Sequence, residues 1–225
     1  MKRGYFLPVL LLVLISSAAS AIGLKDGFTL ADMKTFSTKR LEISVLLEDE
    51  DYETLLALGK ANLKDDYIKS LYAQKPENVY EDTIDWQMSA KFSRNQDLFR
   101  KPNQTNAARL YYAVRLNDTR EIIGTFEIYG VNPLEFGLFI DKAKSHQGFG
   151  TEVLNAGIQL VSDKTTAKKV IWECNADNVG STNVAKKCGF IFVRDWELYY
   201  GRKASTFALD LPRLLEAVLS PVNPN

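Results

Sequence analysis

Apolar and polar residues alternate over residues 41–47 (Leu41-Glu42-Ile43-Ser44-Val45-Leu46-Leu47), the two-residue period of a strand with one buried face. Acidic residues Glu48 to Asp51 follow, ahead of Leu55, Leu56 and Leu58, which predicts a helix whose positive N-terminal end faces negative charge. Helical patterns recur over 65–74 and 82–99, the second with Ile84, Met88 and Phe92 on one stripe, the usual mark of a core-facing side. Lys101-Pro102-Asn103 breaks the pattern. Two strand-like runs, 109–116 and 121–130, then flank Asn117-Asp118-Thr119-Arg120, predicting a hairpin. Asn132-Pro133 supplies another turn before a strand over 134–141, so three strands run as an antiparallel meander.

The pattern next changes at Ser145-His146-Gln147-Gly148-Phe149-Gly150-Thr151-Glu152, where a loop with two glycines enters an apolar-periodic helix. Val153, Leu154, Gly157, Ile158 and Val161 share one face of that helix. A helix N-terminus offers unpartnered N–H groups and partial positive charge, and glycines let an anion approach the backbone, so the stretch reads as an anion cradle. No Gly-Lys-Ser/Thr follows, and Val153 stands where a dinucleotide-binding turn has its third glycine, so neither a P-loop nor a Rossmann turn is present. Residues 168–175 form the next strand pattern. A short helix from Asn178 carries Ser181, Val184 and Cys188 on one face and ends at Gly189, a left-handed cap. Strands over 190–193 and 205–209 close the chain.

Composition narrows the partners without naming them. The 225 residues are 46% hydrophobic, with 28 basic and 28 acidic residues, suiting one folded domain and giving no footprint for nucleic acid or a membrane surface. Lys2 and Arg3 precede an apolar run from Tyr5 to Ile15, and small residues end in Ala19-Ser20-Ala21. This is a secretory signal pattern, too short for a comfortable membrane span, so residues 1–21 are expected to be a cleaved signal peptide and the protein exported. The alternative is a cytoplasmic protein started at Met33. Residues 22–37, polar and glycine-dotted, read as a tether, 38–210 as the domain and 211–225 as a C-terminal helix or tail. Cys174 and Cys188 lie on apolar stripes, where free cysteine packs as a small hydrophobe, though one bridge stays open. With one histidine in the chain no metal site is expected. The oligomeric state is left open.

Two runs, Ser145 to Glu152 and Asn178-Val179-Gly180-Ser181-Thr182-Asn183-Val184-Ala185-Lys186-Lys187-Cys188-Gly189-Phe190, resemble the two signature motifs of GNAT acetyltransferases. The second, with Arg40-Leu41 and Glu135-Phe136-Gly137, resembles the ribosomal-protein N-terminal acetyltransferase (RimJ/RimL-like) branch. The resemblance implies an α/β (α+β) fold of three layers, with a central mixed, mostly antiparallel sheet of about seven strands flanked by helices. Two splayed central strands would form an acetyl-CoA cleft, and no metal would be needed. It also implies cofactor contacts from Leu138, Phe139 and Ile140, from Ser145, His146, Gln147, Gly148, Phe149, Gly150 and Thr151, and from Asn178, Ser181 and Lys187.

The implied reaction is direct attack of a primary amine (a protein N-terminus, a lysine or a small amine) on the thioester, with a backbone N–H near Leu138 stabilising the developing oxyanion. Glu135, on the opposite strand face from Phe136 and Leu138, is the candidate base, and Glu127 its rival. Ser181 is the candidate thiol-contacting group, with helix capping as its other reading. His146 reads as a solvent-facing loop residue, and Lys142 and Lys144 as loop cations near the phosphates. Two positions depart from the family pattern. Ser145 stands where a Gln or Arg opens the loop motif, and Ala185 where many members carry a catalytic tyrosine. These departures motivate the alternative of a catalytically weak or inactive CoA-binding module. An exported enzyme would also need acetyl-CoA outside its usual compartment.

Overall fold

The computed structural model of the chain describes residues 23–62, 92–93, 109–130, 132–197 and 203–211. Within these, strands β1 (Thr35–Ser37), β2 (Leu41–Val45), β3 (Arg109–Leu116), β4 (Ile122–Gly130), β5 (Leu134–Ile140), β6 (Lys169–Asn175), β7 (Ile191–Glu197) and β8 (Lys203–Asp210) form one sheet. Its order is β1-β2-β3-β4-β5-β6-β8-β7. Among the described residues three helices of known extent flank it: α1 (Asp49–Asn62), α2 (Phe149–Lys164) and α3 (Val179–Lys187). Every strand pair is antiparallel except β5 with β6. A parallel pair needs a crossover connection, and α2 supplies it.

Strand alternation sorts the side chains onto two faces. Tyr112, Phe126 and Phe136 point to the face that receives α2, and all three are at most 2% exposed. A Cβ on Gly157 would meet Phe126 Cζ at 2.4 Å, so glycine there lets the helix axis come close to the aromatic layer. Phe126 makes edge contacts with Phe36 and Phe136 at centroid separations of 6.1 and 5.1 Å. The other face receives α1, whose Leu55 packs with Leu46 and Ala113. Arg115 is tied there to Asp51 in the first turn of α1.

Among the described residues the expected elements sit where the periodicity put them, with one correction. Residues 22–37, read as a tether, are built into the fold from Gly23 onward. Leu24 bridges Thr165, Met33 is fully buried, and β1 adds an eighth strand beside β2. Four residues of 3-10 helix (Leu30–Met33) and a three-residue strand are too short to print a period, which explains the misreading. The closing strands also run longer than predicted. The helices expected over 65–74 and 82–99 lie outside the described residues apart from Phe92 and Ser93, which are helical. Of the tail, only Leu211 is described. Both cysteines are free.

Candidate active site

The central feature is a fork between β5 and β6. The two strands pair only at Leu134/Val170, Glu135/Ile171 and Phe136/Trp172. Beyond that point Gly137–Ile140 stays with β4, while Glu173–Asn175 stays with β8. The backbone groups of β5 that would have paired with β6 therefore face a gap. A cavity of about 590 Å³ opens there, lined by Leu138 to Ile140, by the turn before α2, by the first turn of α2 and by α3 from Val179 to Lys187.

One wall of the cavity is an anion cradle. Gly148 is the N-cap of α2 at φ 83°, and no side chain caps the helix. The first-turn N–H groups of Phe149, Gly150 and Thr151 are thus left for a ligand, at the positive end of a 16-residue helix. His146 is also left-handed, at φ 60°, which costs a residue with a Cβ about 1 kcal/mol or more. Helix α3 differs at its start. Asn178 accepts a hydrogen bond from Ser181 N at 3.0 Å, so its amide side chain closes that terminus as a cap.

Behind the cradle, Arg40 of the β1–β2 turn reaches the loop. Its Nη1 donates to the Gln147 carbonyl at 3.1 Å, and its Nε donates to Glu152 at 2.6 Å. The guanidinium also stacks over the Phe149 ring at 4.3 Å, and Thr38 donates to the same carboxylate. Burial alone would raise the Glu152 pKa, but the bonds from Thr38 and Arg40 hold it below the usual glutamate range. At the loop's other end Asn62, 8% exposed, joins the turn to α1. Its Nδ2 donates to Asp141 at 3.1 Å and its Oδ1 accepts from Lys142 N at 3.0 Å.

Ser181 faces the cavity from the first turn of α3. Trp172 Nε1 donates to Ser181 Oγ at 2.9 Å. A hydroxyl has one proton and two lone pairs, so with a donor already on its oxygen the serine directs its own proton elsewhere. Trp172 is 4% exposed and lies at the last paired position of the fork.

On the opposite sheet face, Glu135 is partly buried and accepts a hydrogen bond from Tyr129 Oη. Arg109 stacks over the Tyr129 ring at 4.1 Å and donates to Tyr111 Oη at 3.3 Å. Burial pushes the Glu135 pKa above the usual range. Tyr129 and Arg109 pull it down, but the neighbouring Glu173 and Glu127 charges add to the rise. Burial and Glu135 together raise the Tyr129 phenol. Glu127, the rival base, lies along Gly137, where an added Cβ would sit 3.4 Å from its own Cβ.

Of the predicted cofactor residues, all but Gln147 line the cavity. The Gln147 carbonyl is turned back to Arg40 instead. Phe149 contributes backbone, since its ring is buried under Arg40. The short Ser145 hydroxyl bonds back to the Asp141 carbonyl at 3.4 Å, and Lys144 pairs with Glu121 at 2.7 Å. Sequence reasoning missed Arg40 as a clamp, Asn62, Tyr129 and Trp172. Only Trp172 left a signal: a tryptophan on a buried strand needs a partner for its N–H. Among the described residues no group of three or more His, Cys, Asp or Glu could hold a metal ion. No described helix is long and apolar enough to cross a membrane.

The geometry defines a class, and comparison with known proteins gives the same one. Residues 40–191 match the family model of the acetyltransferase (GNAT) domain. The chain belongs to the GNAT acetyltransferase family and is an N-acetyltransferase. No curated protein matches it. Among solved structures it is similar to RimL, the ribosomal L7/L12 alpha-N-protein acetyltransferase in complex with coenzyme A. That match has 14% identity and a TM-score of 0.62, covering 79% of this chain and 98% of that one. It is also similar to the microcin C7 self-immunity acetyltransferase MccE in complex with acetyl-CoA and AMP, at 17% identity, TM-score 0.60 and coverage of 77% and 93%. The ribosomal-protein-S5-alanine acetyltransferase of Vibrio fischeri is a third, at 14% identity, TM-score 0.59 and coverage of 78% and 96%. At these identities the likeness is one of fold. The residues present suit an acetyl-CoA donor, because an uncapped helix end fits a diphosphate and the gap beyond Phe136 leaves β5 backbone groups for an extended amide-bearing arm.

Proposed function

We propose that the protein transfers an acetyl group to a primary amine by direct attack, with Glu135 receiving the amine's proton and Ser181 serving the departing sulfur. Acetyl-CoA, when bound, supplies an activated thioester carbonyl. Glu135 is suited to its part because a carboxylate with a raised pKa holds a proton better at neutral pH. The β5 backbone N–H groups that face the gap are suited to stabilise charge on the carbonyl oxygen. The observation that carries the reading is the Trp172–Ser181 hydrogen bond. It leaves the serine proton for an acceptor in the cleft, which meets the need of a thiolate leaving group whose reference pKa is near 8.5.

The fold likeness to ribosomal-protein acetyltransferases makes peptide N-termini the first acceptors to test, ahead of lysine and small amines. The test is release of free thiol from acetyl-CoA over a panel of such amines. Glu135→Gln is expected to lower kcat by about 10² to 10⁴. Ser181→Ala is expected to lower it about 10- to 100-fold, the worth of one hydrogen bond to a charged group. Both should leave acetyl-CoA affinity within about twofold. Donor binding without thiol release on any acceptor would favour the non-catalytic module, the reading supported by Ala185 at the family's tyrosine position.

We also propose that residues 1–21 direct export and are removed. The support is the basic start, apolar run and small-x-small site, and N-terminal sequencing of the natural protein tests it. An intact Met1 would sink it. The alternative start at Met33 would lack Leu24 and Lys25, whose backbone contacts to Thr165 and Lys164 are part of the fold.

A further inference from the structure

The turn into α2 contains two left-handed residues in close succession, His146 at φ 60° and Gly148 at φ 83°, with Gln147 between them. This winding turns the Gln147 carbonyl away from the cavity while the N–H groups that follow begin the helix. Alternation of this kind makes a concave nest of N–H groups for an anion. It also leaves a carbonyl on the rear of the loop that needs a donor.

Arg40 supplies that donor and holds the loop at more than one point. Nη1 donates to the Gln147 carbonyl at 3.1 Å, ahead of Gly148. Nε and Nη2 meet Glu152, in the first turn beyond it, at 2.6 and 2.5 Å. The guanidinium lies over the Phe149 ring at 4.3 Å. A Cβ on Gly148 would be 3.6 Å from Nη2, so the cation sits directly behind the left-handed glycine. Arg40 is itself fixed: its N–H donates to Glu152 at 3.2 Å, and its carbonyl accepts from Asn117 N at 2.9 Å. Each guanidinium nitrogen meets the carboxylate or the rear carbonyl, and Arg40 does not line the cavity, so it acts through the loop.

We propose that Arg40 is a positioning residue for the phosphate cradle, holding the Gln147 peptide turned outward so that the N–H groups of residues 148–151 converge on the diphosphate half of the donor. The inference rests on the acetyl-CoA reading above and deepens it. With Ser145 bonded back to its own turn, binding leans on the backbone, and the residue that shapes the backbone sets the affinity. Arg40 is 44% exposed at its side chain, and an ion pair so open to water contributes little to stability. Its effect should therefore appear in binding and hardly at all in folding.

The experiment compares wild type, Arg40→Met and Arg40→Lys with two donors, acetyl-CoA and S-acetylpantetheine, the latter without a diphosphate. In Arg40→Met the calorimetric Kd and the KM for acetyl-CoA should both rise about tenfold or more, with kcat at saturation within about twofold of wild type. Its kcat/KM for S-acetylpantetheine should match wild type. Arg40→Lys, which can reach Glu152 but cannot hold the Gln147 carbonyl at the same time, should recover part of the loss. Unchanged acetyl-CoA affinity in Arg40→Met would overturn the positioning role and leave the donor reading intact. An equal loss with both donors would overturn it too, since the defect would then not lie in the cradle. Wild-type protein that does not bind acetyl-CoA would instead overturn the donor reading.

Discussion

The two faces of the sheet offer different means of recognition to the proposed reaction. On the α2 side the donor wall is made of backbone: an uncapped helix end, a left-handed glycine and the unpaired edge of β5 at the fork. On the α1 side, where the proposed base lies outside the cavity lining, there is instead a cluster of side chains, Arg109, Tyr129 and Glu135, drawn from three adjacent strands. Backbone recognition depends on conformation and tolerates side-chain change wherever the chain can keep its shape. Side-chain recognition depends on which residues the register sets opposite one another. The two halves should fail differently when they are perturbed.

The largest expected effect on donor binding is on the backbone half. Gly148→Glu puts a Cβ at φ 83°, a cost of about 1–2 kcal/mol, and adds a like charge beside the phosphates. Acetyl-CoA affinity should fall about 100-fold or more by calorimetry, and retained binding would show that the cradle is elsewhere. A smaller effect is expected at the seat of α2. In Gly157→Ala the new methyl group would overlap the ring of fully buried Phe126. A loss of about 1–3 kcal/mol in urea unfolding is expected, eased by alanine's better helix propensity. No loss would mean that the helix can lift freely off the aromatic layer.

The smallest effect separates the halves by sign. Glu152 has a depressed pKa, so its contribution to stability is present above the unfolded value near 4.3 and is lost as pH falls through the folded value. Glu135 has a raised pKa. Its contribution is fully present below about pH 4.3 and is lost as pH rises through the folded value. Glu152→Gln should therefore be less stable than wild type at pH 7, and Glu135→Gln more stable, with both differences shrinking in acid. Thermal unfolding from pH 3 to 8 measures this, and the same sign for both variants would remove the electrostatic contrast.

Legibility in the sequence followed the same division. The cradle could be read because glycines at a loop-to-helix junction are local, and so is a helix period. The pairing of Glu135 with Tyr129 could not, because it depends on the β4–β5 register across the turn at Asn132-Pro133. Arg40 lies 112 residues from Glu152, and only the fold brings the two together. Met33 and β1 were missed for a different reason. Segments of three or four residues are ordered by the strand and helix they pack on, and they carry no period of their own.

Among the described residues, what the sequence determined by itself was the order of the long strands and of α1 to α3, the buried faces of the long strands and of α2, and the place of the glycine-bearing turn into α2. Each is set by spacing within a dozen residues, through two-residue or 3.6-residue periodicity and the freedom of glycine. Only the tertiary structure decided where β5 and β6 part, which way the Gln147 carbonyl turns, and that Trp172 holds the Ser181 oxygen. Those features arise where distant segments compete for the same hydrogen-bonding groups, and that competition is settled by packing.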